Sequence, residues 1–479
     1  MTTNSDTVAS LSSGETPPAL LDLPRKVGFW GAIAILVGVV IGSGIFRTPS
    51  TIAQNLGDPW LILLLWLVGG LVALCGALTF AELAVRFPQC GGVYVFLREG
   101  FGPCPAFVFG WTYMLITKPA AAGGIAIVFA EHFNQLLSDA ATAWNGEETV
   151  ILLDAPLLTC GALCLLTLIN VLGVRGSARF AIALTSLKYA AITGIIVIGV
   201  LAALREVFAP GAGAGVPFGR TAAPRPLLAA IVPVMAAIMW TYDGWADVGA
   251  IAGEVKTPSR TLPRVYIIGT LSVIGLYVLA NAVYLWHVPL EEMRATDTVA
   301  PLLLGKLLGT VGSTAILVLV ILSTLGSSHA SVMTGARVTF AQARDGLLFR
   351  FLGRVSPTFE TPVVALVTQL VLSCTAVLLL RDFGRLAESF VFTMWIFYGL
   401  GAVSLFVIRR RDAGLGAPVF RTPGFPYVPA VFVLSSAAMT GLSIYDDPQT
   451  TGMWLLVLAA GVPVYFVWRM LFPAATRIA

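Results

Sequence analysis

The chain alternates long apolar runs with short polar connections along its whole length. The runs are continuous in Leu, Val, Ile and Ala, and most are long enough to cross a bilayer, which takes about 20 apolar residues. They therefore predict membrane-spanning helices and exclude the alternating strands of a membrane β-barrel. Twelve runs can be placed, at residues 27–56, 59–84, 104–131, 151–173, 178–204, 227–252, 262–286, 310–340, 361–380, 386–408, 427–445 and 449–472. No connection is long enough for a second domain, so we expect an all-α polytopic membrane protein.

Composition supports this fold class and narrows the chemistry. Charged residues make up 11% of the 479 residues, against about 25% in a soluble globular chain. A large soluble enzyme domain is excluded, and the net charge of +4 gives no reason to expect a nucleic-acid partner. Because HExxH and GxSxG motifs are absent, we predict neither an enzyme nor a metal or cofactor site. The six cysteines lie within or beside apolar runs and are expected to be packing residues.

Charge placement predicts the orientation of the helices. Residues 1–26 are polar, rich in Ser and Thr, and end in Pro24-Arg25-Lys26 without a signal-peptide cleavage site, so we expect a disordered cytosolic tail. Most Lys and Arg residues fall in connections that are cytosolic if the N-terminus is inside. The positive-inside rule then places both termini in the cytosol.

The first run is interrupted by Gly42-Ser43-Gly44, which follows Ile41. Glycines on either side of a serine weaken the helix and let another group approach the backbone. A break at membrane depth must line a cavity or be buried in protein. Taken alone, the motif fits a binding site or tight helix packing equally well.

The sixth run contains a second break, at Asp243-Gly244, with Asp247 three residues further on. A charge at the centre of a lipid-facing helix costs at least about 2.5–3.5 kcal/mol. Interrupted helices at corresponding positions of two halves are the best sequence indication of a binding site near the bilayer midplane. A half-helix N-terminus suits a carboxylate and a half-helix C-terminus suits an ammonium, so the ligand expected is an α-amino acid. The aromatic residues Trp240, Tyr242 and Trp245 are candidates to cover it.

Several motifs resemble one family in order along the chain, from about residue 27 to 410. They are Ile41–Phe46, Ala77–Leu83, Gly91–Tyr94, Leu97–Glu99, Phe101–Pro103, Trp240–Trp245, Glu254–Pro258, Leu262–Arg264, Thr334–Arg337 and Ala343–Gly346. This pattern resembles the amino acid–polyamine–organocation (APC) superfamily, and within it the L-type amino acid transporter branch of the bacterial, single-subunit type.

The resemblance implies a LeuT-type fold with discontinuous helices 1 and 6. Its two inverted five-helix repeats correspond to residues 27–204 and 227–408, and two further helices to 427–472. It also implies alternating access in the cytoplasmic (inner) membrane and sodium-independent exchange of neutral L-amino acids. The family's carboxylate site maps onto Gly42, Ser43 and Gly44, and its amine site onto the carbonyls of Ile41, Trp240 and Asp243. The complete predicted substrate-binding set is Ile41, Gly42, Ser43, Gly44, Ile45, Trp240, Thr241, Tyr242, Asp243, Gly244, Trp245 and Met394.

Lys188 lies deep in the fifth run. One interpretation is a lysine that extends its ammonium towards the membrane surface. The resemblance favours another, in which Lys188 replaces the sodium ion of related transporters and ties the fifth helix to the unwound part of the first. Lys118, which precedes Pro119 in the third run, is assigned no role.

Four other polar residues are candidates for proton or gate functions. His329 is either a pH-sensitive element or a packing histidine. Glu82, Arg337 and Arg344 lie near the cytosolic ends of their helices, where they form either an inner ion-pair gate or solvated loop charges. Asp243 either lines the pocket and favours cationic substrates or caps the broken helix.

The expected partners are an amino acid substrate and the lipid bilayer. The animal L-type proteins are joined to a heavy subunit through a cysteine in the loop between helices 3 and 4, but residues 132–150 contain none. We therefore expect no disulfide-linked subunit, and a monomer or weak homo-oligomer. The alternative function is a proton-coupled or cationic amino acid or polyamine transporter, with Asp243, His329 or Glu82 as the titrating group.

Overall fold

The computed structural model describes residues 22–208, 218–381, 383–413 and 418–472. The predicted tail therefore lies outside the described residues except for its last five positions. The helices are α1 (Phe29–Val40), α2 (Gly44–Ala53), α3 (Pro59–Arg86), α4 (Val93–Phe101), α5 (Pro103–Thr112), α6 (Lys118–Asn145), α7 (Ala155–Val171), α8 (Val174–Phe208), α9 (Leu227–Tyr242), α10 (Pro258–His287), α11 (Leu290–Arg294), α12 (Val299–Leu308), α13 (Thr310–Arg344), α14 (Val363–Leu380), α15 (Phe383–Arg411), α16 (Tyr427–Asp446) and α17 (Pro448–Leu471). A π-helical turn at Tyr113–Thr117 joins α5 to α6, and 3₁₀ helices cover Trp245–Glu254 and Arg350–Gly353.

The predicted all-α membrane fold is confirmed. In the described ranges, ten helical segments are long and apolar enough to cross a membrane. The fourth predicted run corresponds to the shorter apolar helix α7, and the tenth to α15. The sequence did not predict α4, α11 and α12, because helices of ten residues or fewer are too short to produce the apolar run of a span.

Exposure distinguishes helices that face lipid from helices in the interior. On α3, the exposed residues Leu64, Leu67, Val68 and Leu71 recur at helical spacing and form one apolar stripe. Helix α13, in contrast, is buried continuously from Gly326 to Ala343. Its polar side chains are therefore shielded from lipid and can meet the polar groups of its neighbours.

Two groups of helices pack around the interrupted segments. One, here called the bundle, contains α1, α2, α3, α9, α10 and the 3₁₀ helix Trp245–Glu254. The other, called the scaffold, contains α6, α7, α13 and α14. Helix α8 contacts α1 and α10 of the bundle and α13 of the scaffold, so it connects the two groups.

Both predicted helix breaks are present. Helix α1 ends at Val40 and α2 begins at Gly44. Helix α9 ends at Tyr242, and Gly244 then takes a φ of 112°, a conformation that favours glycine. The chain continues as the 3₁₀ helix Trp245–Glu254, so the sixth span consists of two differently wound halves.

The bundle and the scaffold are joined by a buried ion pair beside Val27, whose amide donates to the Glu254 carbonyl at 2.9 Å. Arg337 of α13 places its Nε 2.7 Å from Oε1 of Glu254, and the two side chains are 1% and 0% exposed. Close by, the backbone of Val27 pairs with Val255 in an isolated parallel bridge. Removing one partner of such a buried pair strands the other charge, so this contact depends on both residues.

We predict that Arg337→Met destabilises the protein by about 3–5 kcal/mol, because Glu254 is left buried and unpaired. Unfolding of the purified protein in detergent measures this change. Arg220→Met is the matched control, because Arg220 also pairs with a carboxylate, Asp58, but is 70% exposed. Equal stability of the two variants would contradict the prediction.

Candidate functional site

The two helix breaks lie directly against each other. A Cβ atom built on Gly244 would lie 2.5 Å from Cγ1 of Val39 and 3.1 Å from the backbone nitrogen of Val40. A hydroxyl contact of 2.7 Å between Thr48 of α2 and Thr241 of α9 joins the same two segments. Only a glycine at position 244 permits this approach of the two backbones.

A cavity of about 40 Å³ lies where the breaks meet the scaffold. Its lining comes from α1 and α2, from α9, and from α6 and α13 of the scaffold. The lining residues are Val39, Val40, Gly42, Ser43, Gly44, Lys118, Ala121, Ile125, Trp240, Thr241, Asp243 and Ser331. A single water needs about 10–15 Å³ measured with a water-sized probe, so the cavity has room for only a few small groups.

One end of the cavity offers hydrogen-bond donors. The first intrahelical bonds of α2 run from the amides of Phe46 and Arg47 to the Ser43 carbonyl, which leaves the amides of Gly44 and Ile45 ahead of the first turn. The Ser43 Oγ is buried and has no hydrogen-bond partner in the described structure. These groups and the positive end of the helix dipole suit a carboxylate.

The ends of α1 and α9 offer acceptors. The carbonyl of Ile41, predicted to bind the substrate amine, accepts hydrogen bonds from Lys188 Nζ at 2.7 Å and from Ser327 Oγ at 2.9 Å. The carbonyl of Trp240 accepts the amide of Asp243 at 3.1 Å, and Asp243 is part of the cavity lining. The Ile41 oxygen is engaged by Lys188, and of the three residues predicted to bind the amine, Trp240 and Asp243 line the cavity.

Lys188 of α8 is buried and directed towards the first break. Its Nζ donates to the carbonyls of Gly38 at 2.9 Å and Ile41 at 2.7 Å, and to Ser327 Oγ at 2.7 Å. The side chain is therefore not directed towards the membrane surface. Three acceptors satisfy the three N–H donors of an ammonium, which explains how a cation is held at this depth.

The structure reveals a second buried cation that sequence reasoning left without a role. Lys118 of α6 pairs with Asp247 of the 3₁₀ helix, and their side chains are 3% and 6% exposed. Asp247 also accepts hydrogen bonds from Thr334 at 2.8 Å and Tyr113 at 3.3 Å. In the sequence, the indication of a special position was Pro119, which follows Lys118 and cannot donate a backbone hydrogen bond. In the structure, a π-helical turn precedes Lys118, and such turns are frequent at functional sites.

The remaining predicted substrate residues divide between the cavity and the core. Trp240 and Thr241 line the cavity, whereas Ile45 and Gly244 do not. Tyr242 packs against Trp66 and Tyr277, and Trp245 packs against Phe80, Tyr398 and Phe432. Of the three aromatics proposed as a cover, Trp240 alone reaches the cavity, because the break turns the other two towards the bundle interior.

Met394 lies near a second, smaller cavity of about 10 Å³. This cavity is also lined by Tyr113, Asp247 and Tyr398. Met394 and Asp247 thus line the smaller cavity, and Met394 is not in the lining of the larger cavity.

The four predicted proton or gate residues belong to separate contacts. Glu82 binds Arg409 of α15 and accepts the amide of Thr422 at 2.7 Å. Arg344 pairs with Asp22 at 2.5 Å, and Arg337 with Glu254 as described above. These charges are paired with protein groups, but they do not form one cluster.

His329 of α13 is buried and is not part of the cavity lining. Its Nε2 is 3.1 Å from Ser177 Oγ, and its ring packs edge-on against Phe180 with a centroid distance of 4.9 Å. Nδ1 has no hydrogen-bond partner in the described structure. These contacts place His329 at the junction of α8 and α13.

A polytopic helical bundle with two interrupted helices that meet at a small cavity is the architecture of a secondary transporter. Comparison of the sequence with protein families gives the particular group. The amino acid permease family matches residues 27–467, and the chain belongs to that family. Its resemblance to the APC superfamily is thereby confirmed.

Individual relatives extend over nearly the whole chain. The serine/threonine exchanger SteT of Bacillus subtilis is 30% identical, over 93% of this chain and 97% of the relative. The human cystine/glutamate transporter is 31% identical, over 96% and 88% respectively. The mouse b(0,+)-type amino acid transporter 1 is 28% identical, over 95% and 90%.

We predict that Gly44→Ala lowers amino acid affinity by at least about tenfold, equivalent to about 1.4 kcal/mol. The added Cβ would lie 2.7 Å from Oγ1 and 2.9 Å from Cγ2 of Thr241, so α2 and α9 must move apart at the donor end of the cavity. Equilibrium binding of a radiolabelled amino acid measures the change. The control is Gly275→Ala, since no atom lies within 4 Å of a Cβ at that position; unchanged affinity in Gly44→Ala would remove the break from the binding site.

Proposed function

We propose that the protein is a sodium-independent exchanger of small neutral L-amino acids that works by alternating access. The observation that carries this proposal is the Lys188 ammonium bound to the carbonyls of Gly38 and Ile41. A fixed cation at the broken first helix supplies the charge that a mobile sodium ion would otherwise bring. No sodium ion is then required to organise the break.

The geometry of the cavity supports an α-amino acid as the substrate. Its carboxylate fits the donor end formed by Ser43 and Gly44, and its ammonium fits the acceptor end formed by the Trp240 carbonyl and Asp243. Both charged groups of the zwitterion then have partners. The small volume of the cavity favours a short side chain.

The contacts between the bundle and the scaffold support alternating access. Beside Val27, the Arg337–Glu254 ion pair joins α13 to the 3₁₀ helix. On the other side of the breaks, Arg47 of α2 lies 3.3 Å from Glu131 of α6. In the proposed cycle, rocking of the bundle breaks one contact at a time, so that the cavity opens to one side only.

The positive-inside pattern favours a protein of the cytoplasmic membrane with both termini in the cytosol. We assign the two inverted repeats to residues 27–204 and 227–408, with 427–472 as additional helices. The lack of a cysteine in residues 132–150 favours a subunit without a disulfide-linked partner. The name of the serine/threonine exchanger of Bacillus subtilis supports both exchange and a small polar substrate.

A cationic or proton-coupled substrate mode is the second candidate, because Asp243 lines the cavity. A carboxylate there can bind a substrate side-chain cation instead of the α-ammonium. The two modes differ in which amino acids compete for transport and in whether a proton gradient drives uptake.

We expect purified protein in liposomes to take up labelled serine only when the vesicles contain unlabelled amino acid. Replacing sodium with choline should leave this counterflow unchanged. Uptake into empty vesicles driven by an imposed pH gradient would overturn the exchange proposal and favour the second candidate.

We predict that Lys188→Ala lowers the exchange rate by at least about tenfold, because the carbonyls at the first break lose the cation that organises them. Counterflow at equal amounts of reconstituted protein measures the rate. Lys306→Ala is the matched control, since it also removes a lysine from an ion pair, but one at the protein surface with Glu292. Near-normal exchange by a stable Lys188→Ala protein would exclude the coupling role.

A further inference from the structure

The Lys118–Asp247 ion pair adjoins the cavity on its scaffold side, through Lys118 of α6. Lys118 belongs to the cavity lining, together with Ser331 of α13. Its Nζ contacts Asp247 Oδ2 and lies 3.3 Å from Ser331 Oγ. If the breaks bind the α-carboxylate and α-ammonium, this is where the substrate side chain points.

The pair also separates two cavities. Lys118 lines the larger one, whereas Asp247 lines the smaller one, together with Tyr113, Met394 and Tyr398. The contact between Lys118 and Asp247 therefore lies between the two cavities, and it limits the length of a substrate side chain in the larger cavity.

The surrounding residues hold both charges in place. Tyr113 and Thr334 donate to Asp247 on its two oxygens, at 3.3 Å and 2.8 Å. The π-helical turn Tyr113–Thr117 immediately precedes Lys118, so Tyr113 and Lys118 reach the same carboxylate. A buried pair with these additional hydrogen bonds is a built feature of the site.

We propose that the Lys118–Asp247 pair is a charge filter, which restricts substrates to small uncharged side chains and favours a hydroxyl that reaches Ser331. Lys118 is a specificity-determining residue, and Asp247 is the positioning residue that neutralises it. The proposal rests on the proposed function, since it concerns the side-chain end of the same amino acid site.

The pair rejects both signs of charge for the same physical reason. A substrate carboxylate near Lys118 competes with Asp247 and brings a second negative charge beside it. A substrate ammonium meets the Lys118 ammonium directly, and Asp247 can neutralise only one of the two cations. In either case one buried charge loses its partner, which is costly in a cavity with little water. A hydroxyl disturbs neither charge.

Substrate pairs of nearly equal shape test the filter in the wild-type protein. Asparagine should compete with serine counterflow at least about tenfold better than aspartate. Homoserine should exceed 2,4-diaminobutyrate, which carries a side-chain ammonium, by a similar factor of about ten. Equal competition within either pair overturns the proposal, and this measurement does not depend on the folding of any variant.

Two variants test the residues themselves. Asp247→Ala leaves the Lys118 cation without a counter-charge, so aspartate should gain competition by at least about tenfold relative to asparagine. Lys118→Ala leaves the Asp247 carboxylate, so 2,4-diaminobutyrate should gain by a similar factor of about ten over homoserine. A purely structural pair predicts loss of activity in both variants without these opposite gains.

The control is Glu292→Gln, which breaks the surface pair with Lys306 and should keep the wild-type competition order. If the wild type exchanges neutral amino acids while stable Asp247→Ala and Lys118→Ala proteins keep its order, the charge filter alone is wrong. If the wild type exchanges no amino acid at all, the proposed function has failed instead.

Discussion

Backbone groups freed at a helix break inside the membrane must find partners within the protein, because lipid offers none. The rest of the structure follows from this constraint at Ile41–Ser43. The carbonyls of Gly38 and Ile41 are bound by Lys188 of α8, and Ser327 of the buried helix α13 adds a hydroxyl to both. The break is thus stabilised from outside the bundle, while Gly42, Ser43 and Gly44 line the cavity. The proposed zwitterion site depends on this arrangement, in which the carbonyls of the break are bound by protein groups while the Ser43 hydroxyl has no partner in the described structure.

Three polar contacts then connect the moving and fixed parts that the proposed cycle requires. Lys188 ties α1 to the connecting helix α8, while Lys118–Asp247 and Arg337–Glu254 both join the scaffold to the 3₁₀ helix Trp245–Glu254. Apolar packing tolerates small displacements, but a buried ion pair is either made or broken. In the proposed cycle, the ion pairs would therefore favour a small number of discrete relative positions of the two groups. That property suits a carrier, which must not be open to both sides at once.

The sequence predicted most of the fold and only part of the site. The length of an apolar run and a glycine break within it are local properties of the sequence. They predict a membrane span and its interruption directly, without knowledge of tertiary contacts. The pairing of Lys118 with Asp247 was not predictable, since it depends on how a π-helical turn and a 3₁₀ helix rotate two side chains towards each other. The same rotation explains Tyr242 and Trp245, whose aromatic character suggested a substrate cover but whose rings pack in the bundle. The type of a residue indicates whether its side chain is buried, whereas the side chain that it contacts is determined by the tertiary structure.

The winding of the sixth span has a mechanical consequence. Ten residues in 3₁₀ geometry, from Trp245 to Glu254, extend about 20 Å, whereas the same residues in an α-helix would extend about 15 Å. Runs of 3₁₀ helix longer than three or four residues are uncommon because their hydrogen bonds are less well aligned. This segment is thus an extended element whose two carboxylates, on Asp247 and Glu254, are anchored to the scaffold. Rewinding of this segment as an α-helix would shorten it by about 5 Å, about one α-helical turn, and would therefore draw the adjoining ends of α9 and α10 towards each other.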